Sequence, residues 1–233
     1  MYSKGNYKAL LKRALDNEYE FVSFLDERET GKHIYLRYDV NWSCKPALEL
    51  AEINQMLGVQ GTFFFALQSE NYNIFSPQNQ KVIQTIHILG QHIGFIFIPP
   101  RQFSTNDSGF ADKIVQDYML FAREIPEVEP VFIWDNATSE LISWSAIHQI
   151  PGLLNLYSPR WINDIPMYSD VLAQYSVSDF ETILDKGNSK LQLSLHPIFW
   201  IVGGETLEEI GINIAYYKAM ELAIDINDVF TQK

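Results

Sequence analysis

The stretch "LRYDVNWSCKPALELAEINQMLGVQGTFFFAL", Leu36 to Leu67, carries the unit on which the fold reading rests. With "HIY" before it, its first part is a short strand pattern that ends in Asp39 and Asn41. "PALELAEINQMLG" then has helical spacing. Pro46 suits a first turn, Gly58 suits a stop, and Glu49, Glu52 and Gln55 share a wet face. "GTFFFAL" is a continuous apolar run, the pattern of a strand buried on both faces. A strand, an amphipathic helix and a buried strand in succession predict a parallel pair joined by a helical crossover.

The alternation continues outward. "MYSKGNYKALLKRALDNEYE", residues 1–20, is amphipathic and reads as an N-terminal helix, too polar for a signal peptide. Downstream, Ser76, Pro77 and Gly90 bracket a helix in "SPQNQKVIQTIHILG", and "HIGFIFI" is a second buried strand. "GFADKIVQDYMLFARE" and "TSELISWSAIHQI" read as helices, and "PVFIW", "GLLNLY" and "KLQLSLH" as strands. Ser178 with Glu181, and Thr206 with Glu209, fit capping boxes, the second opening a C-terminal helix over about 205–230. No linker or repeat divides the chain, so one domain over 1–233 is expected. Two closures fit an alternating pattern, an open doubly wound sheet and a barrel. No Gly-rich phosphate loop follows the first strand, which removes the main argument for a nucleotide-binding open sheet. In either closure ligands bind at the carboxyl ends of strands, where Asp39, Asn41, Trp134 and His196 stand.

A net charge of −12 opposes a broad nucleic-acid or anionic-membrane surface, and no apolar segment is long enough to predict a membrane span. The one cysteine, Cys44, excludes an internal disulfide and a Cys-rich zinc site, and a cytoplasmic location follows as the default expectation.

Taken together, the opening stretch, "ILGQHIGFIF", "PGLLNLYS", "YSDV" and "LQLSLHPIFW" resemble, in order, the polysaccharide deacetylase family over about Tyr35 to Thr206. The match is nearest to a bacterial subgroup associated with O-antigen and other surface-polysaccharide biosynthesis. The resemblance implies an α/β fold, a distorted (β/α) barrel with mostly parallel strands and outer helices. It implies hydrolysis of an N-acetyl group on a sugar, with a divalent metal such as zinc as the family norm.

The family's first strand ends "L-R-H-D-V-D", whose first Asp acts as general base and whose second binds metal. Here "LRYDVN" keeps Asp39 and replaces the ligand by Asn41, a poorer donor for a transition metal. In the family's "G-H-E-I-G-x-H" the last His binds metal, often with another four residues on. Ile96 and Pro100 occupy those positions, and His92 aligns with the Glu. The "S-x-H-R-P" element, whose Arg steadies the catalytic Asp, has no counterpart near Trp134, Asp135 and Asn136. Arg37 and Arg160 are the two candidate arginine partners of Asp39. "LSLHP" is intact, so the resemblance makes His196 the general acid, and Asp170 in "YSDV" also matches.

The expectations are therefore Asp39 and His196 as catalytic groups, and Trp42, Trp134, Asp135, Arg160 and Asp170 as substrate contacts. No bound metal or other cofactor is expected, and the partner is a sugar, sugar nucleotide or glycan. Trp161 and Trp200 also have rings that could stack on a sugar or fill a core. Losing the metal removes several kcal/mol of transition-state stabilisation. Two functions thus stand open: a divergent deacetylase, and a non-catalytic glycan- or partner-binding homologue that uses the same cleft.

Overall fold

The computed structural model describes residues 1–231 except 27, 29, 101–103, 107 and 172–174, and the side chains of 1–224 within that set. The elements run α1 (Lys4–Asp16), β1 (Tyr19–Phe21), β2 (Lys32–Val40), α2 (Lys45–Leu57), β3 (Thr62–Ala66), α3 (Pro77–Ile88), β4 (His92–Phe97), α4 (Phe110–Glu124) and β5 (Val128–Trp134). They continue with α5 (Ser139–Ile147), β6 (Leu154–Asn155), a π turn (Arg160–Asp164), β7 (Met167–Ser169), α6 (Val177–Asp185), β8 (Lys190–Leu195), α7 (Pro197–Val202) and α8 (Leu207–Thr231).

The local signals act as their chemistry requires. Ser76 caps α3 by accepting from the Asn79 N–H, and Gly58 stops α2 at φ 67°. Two boundaries differ from expectation. The chain leaves α1 at Asp16 and enters strand β1, which the amphipathic pattern of residues 1–20 had hidden. Helix α6 begins two residues early, because Ser176 and Asp179 close the capping box instead of Ser178 and Glu181. The Asp179 carboxylate accepts from the Ser176 N–H at 2.8 Å, so Asp does the work expected of Glu.

Among the described residues, the strands form one all-parallel sheet of eight in the order β6-β5-β4-β3-β2-β8-β7, with β1 on the first half of β2. The sheet curls into a half-barrel wrapped by helices. Its edge strands β6 and β7 do not pair. The π turn between them supplies Trp161, whose carbonyl accepts from Gln192 Nε2 at 2.8 Å and whose ring packs edge-on against Tyr35 and Phe24.

Strand alternation sorts side chains into two layers. Leu36, Tyr38, Phe63, Phe65, Phe95, Phe97, Leu193 and Leu195 face the helices. Tyr35, Phe64, Ile96, Ile133 and Trp161 fill the inside of the curl. Gly94 is fixed by that inner layer, since a Cβ there would collide with the Phe64 ring on the neighbouring strand.

A buried polar network ties the outer layer together. Tyr7 donates to Asn54 Oδ1 and lies 2.5 Å from the Tyr38 hydroxyl. Asn54 Nδ2 donates to Gln91 Oε1 at 2.9 Å, which also accepts from the Gly61 N–H at 3.0 Å. Asn54 is fully buried. Asn54→Ala should leave the tyrosine hydroxyls without their amide partner, and the expected loss is about 2–4 kcal/mol of unfolding free energy. Urea denaturation checks this; a loss below about 1 kcal/mol would show that the network is solvated or rearranges.

Candidate functional site

The inner face of the curl reaches its open end through β2, β8 and β5. Arg37 and Asp39 share that face because they are two residues apart on β2. The guanidinium grips the carboxylate at both oxygens, Nε to Oδ1 and Nη2 to Oδ2 at 2.6 Å each. Arg37 is 3% exposed and the Asp39 side chain 11%. Arg37 Nη2 also donates to the Tyr157 hydroxyl at 3.3 Å. Burial works against the guanidinium charge, but Asp39 and Tyr157 hold it, and its pKa ends above the ordinary arginine value. The pair is a buried, bidentate charge-assisted contact.

On the neighbouring strand, β8, His196 follows the last residue, Leu195, and caps α7. Its Nδ1 lies 2.6 Å from Asp170 Oδ1, and its backbone N–H donates to Asp170 Oδ2 at 2.9 Å. Trp200 Nε1 donates to the same Oδ2 at 2.9 Å. Burial pushes the His196 pKa down. The charge and hydrogen bond of Asp170, with the charge of Asp39, outweigh it, and the net shift is upward. With Nδ1 tied to Asp170, the other ring nitrogen is the one left for chemistry in the cleft. Asp170 is fully buried, so it holds the imidazole and not a ligand, which corrects its expected place among the substrate contacts.

Two adjoining cavities meet over these groups. The inner one, about 480 Å³, has Arg37, Asp39, Ile96, Tyr157 and Ser194 in its wall. The outer one, about 750 Å³, has Trp42, Gln68, Glu70, Pro100 and Phe199. Asn41, Asp135, Asn136, Val171 and His196 line both. Asp135 is half-buried where β5 ends, its N–H bonded to the Phe97 carbonyl at 3.0 Å. Burial raises its pKa, the Asn136 amide and His196 pull it down, and Asp39 and Glu70 add to the rise.

The tryptophans divide between cleft and core. Trp42 is 39% exposed and lines the outer cavity. Trp134, expected at the cleft as a strand-end aromatic, is in the wall of the inner cavity, but its ring points to the helices. It is 1% exposed, donates to Ser145 Oγ at 2.9 Å and packs on Phe97, Phe110 and Trp144. A step of one residue along a strand reverses the face, so Asp135 turns inward and Trp134 does not. Trp161 and Trp200 are buried as well.

Arg160 is exposed, lies over the Trp161 ring at 5.6 Å and does not line either cavity. Its expected place at the substrate is corrected, and Arg37 is the arginine on Asp39. His92 sits at the opposite end of the sheet with Nδ1 2.7 Å from Glu129. Cys44 is buried, and burial raises its thiol pKa far from the reactive range. Tyr157 and Ser194 are additions that the sequence reading did not single out.

A divalent metal does not fit these residues. Both oxygens of Asp39 are engaged by a cation, Asn41 is neutral, and Ile96 and Pro100 line the cavities without a donor atom in their side chains. Among the described residues no group of three His, Cys, Asp or Glu side chains is arranged to hold an ion. Nor is any helix among them long and apolar enough to cross a membrane.

No protein-family model and no curated protein matches the chain. Solved structures similar to it include members of the CE4 family. A CE4 family pseudoenzyme from Bacillus anthracis has 13% identity and a TM-score of 0.48, over 83% of this chain and 63% of that one. A mutant CE4 family pseudoenzyme with restored enzymatic activity has 14% identity and a TM-score of 0.48, over 83% of this chain and 65% of that one. The chitin deacetylase of the fungal pathogen Colletotrichum lindemuthianum has 17% identity and a TM-score of 0.47, over 78% and 81%. The chain therefore spans slightly less than two thirds of the first two.

Proposed function

We propose that this chain is a divergent homologue of the polysaccharide deacetylases that binds a sugar, sugar nucleotide or glycan in the cleft over Asp39 and His196, without metal-dependent hydrolysis. The observation that carries the reading is the cleft wall itself, where Asn41, Ile96 and Pro100 stand at the positions for which the resemblance calls for a metal ligand. The bidentate Arg37–Asp39 pair keeps the carboxylate fixed at the cleft, the part that the resemblance gives to a different arginine. The cleft has the mixture a sugar needs: one exposed ring in Trp42 and several polar groups in Gln68, Glu70, Asn136 and His196. The order of the sequence motifs supports a role in O-antigen or other surface-polysaccharide assembly.

A second reading has one observation in its favour, the His196–Asp170 pair at the cleft. In a metal-free hydrolysis, water would add to the acetyl carbon as His196 took its proton. The C–N bond would then break and His196 would return the proton to the leaving amine.

Calorimetric titration with N-acetylated oligosaccharides, before and after chelation, tests both. Binding should be unchanged by chelator and weakened by Trp42→Ala by about 1 kcal/mol, a several-fold change. Acetate release should be absent with or without zinc. Zinc-dependent acetate release, or no binding at all, would sink the proposal. Chelator-resistant release that His196→Ala abolishes would establish the second reading.

A further inference from the structure

The charged side chains over the cleft do not balance. Arg37 is matched by Asp39 at 2.6 Å, and His196 by Asp170 at 2.6 Å. Glu70 and Asp135 remain, both in the wall of the outer cavity, and no lysine or arginine among the described residues lines that cavity. Lys45 and Lys218 stand in a separate cavity behind Asn71, where Glu221 pairs with both. One oxygen of Asp135 accepts from the Asn136 amide at 3.0 Å, and the other has no partner among the described residues. Burial, Asp39 and Glu70 all act against the charge of Asp135, so a cation placed beside it offsets all three. Two further polar groups face the cavities with no partner among the described residues, the Ser194 hydroxyl and the second ring nitrogen of His196. Ser194 is 2% exposed and His196 6%. Buried polar groups are costly unless hydrogen-bonded, so this wall is suited to a polar ligand.

We propose that the cleft selects a sugar with a free, protonated amine over its N-acetylated counterpart, with the ammonium held by Asp135 and Glu70. The inference rests on the reading of this cleft as a sugar site and adds the charge of the sugar it takes. An ammonium carries three N–H donors and no acceptor, which suits a pair of carboxylates that lack a cation. Acetylation removes the charge and leaves one N–H, so the acetylated sugar forfeits the charge-assisted bonds. A sugar nucleotide, with its diphosphate, meets two like charges in the wall and a chain of net charge −12. It is therefore the disfavoured ligand of this cleft. Trp42 serves the apolar face of the sugar ring in either form, so the discrimination falls to the two carboxylates.

Calorimetric titration of the full chain with a glucosamine trisaccharide and with its fully N-acetylated counterpart tests this, at about pH 6 so that the amine is charged. The amine form should bind about tenfold tighter, as bonds to a charged group allow. Added salt should shrink that ratio. Glu70→Gln with Asp135→Asn keeps the shapes and removes both charges, and should bring the ratio close to one. A ratio below about threefold, or one that survives the double variant, overturns the inference while the cleft stands as a sugar site. If neither trisaccharide binds, the sugar reading of the cleft falls and this inference falls with it.

Discussion

Replacing Arg37 by alanine is expected to lower the unfolding free energy by about 3–5 kcal/mol, the cost of leaving a buried charge without its partner. The guanidinium is 3% exposed, and the Asp39 carboxylate that it would abandon is 11% exposed with both oxygens bound to it. For a chain of this size each kcal/mol moves the thermal midpoint by about 2–4 °C, so a fall of roughly 10 °C should be visible by calorimetry. The double change Arg37→Met with Asp39→Leu removes both charges. It should come back to within about 2 kcal/mol of the wild type, because the cost of desolvating two ions largely cancels their attraction. If Arg37→Ala loses less than about 1 kcal/mol, the pair is not the fixed element that the cleft reading requires.

Asp170 is the second sensitive point. It is fully buried and accepts from the backbone and ring of His196 and from the Trp200 indole. Asp170→Ala should cost about 3–5 kcal/mol, since it strands these buried donors together. Asp170→Asn keeps the shape and one acceptor, so about 1.5–3 kcal/mol is expected.

The two changes also alter the response to pH. His196 is raised above the ordinary histidine value of 6.5, burial notwithstanding, by Asp170 and Asp39. A group that binds its proton more tightly in the folded state stabilises the fold fully below its unfolded pKa. That contribution is lost as pH rises through the higher folded value. Wild-type stability should therefore decline as pH passes upward from the ordinary histidine value. The decline should be absent in His196→Gln. Urea unfolding in steps from about pH 5 to about pH 9 would show it, and equal slopes in the two proteins would mean that the dyad does not hold the proton.

Much of the frame was legible because its causes are local. Pro46 and Gly58 set the ends of α2 through backbone geometry alone, and the apolar run "GTFFFAL" is what a doubly covered strand requires. The strand ends that delivered Asp39 and His196 to the cleft were readable from the same alternation. Strand β1 was not, because its three residues follow an amphipathic helix without a turn signal and take their conformation from pairing with β2.

What the sequence by itself determined is the alternation of parallel strands with helices and the lack of a carboxylate or imidazole at Asn41, Ile96 and Pro100. Both are properties of residue identity and short-range period. What only the tertiary structure decided is who meets whom across the curl. Arg37, and not Arg160, holds Asp39; Asp170 lies under His196; Trp42 stands in the cleft while Trp134 is turned into the core. Those pairings depend on strand order, on register and on which face each strand end presents. A one-residue step reverses that face, and no local pattern carries it.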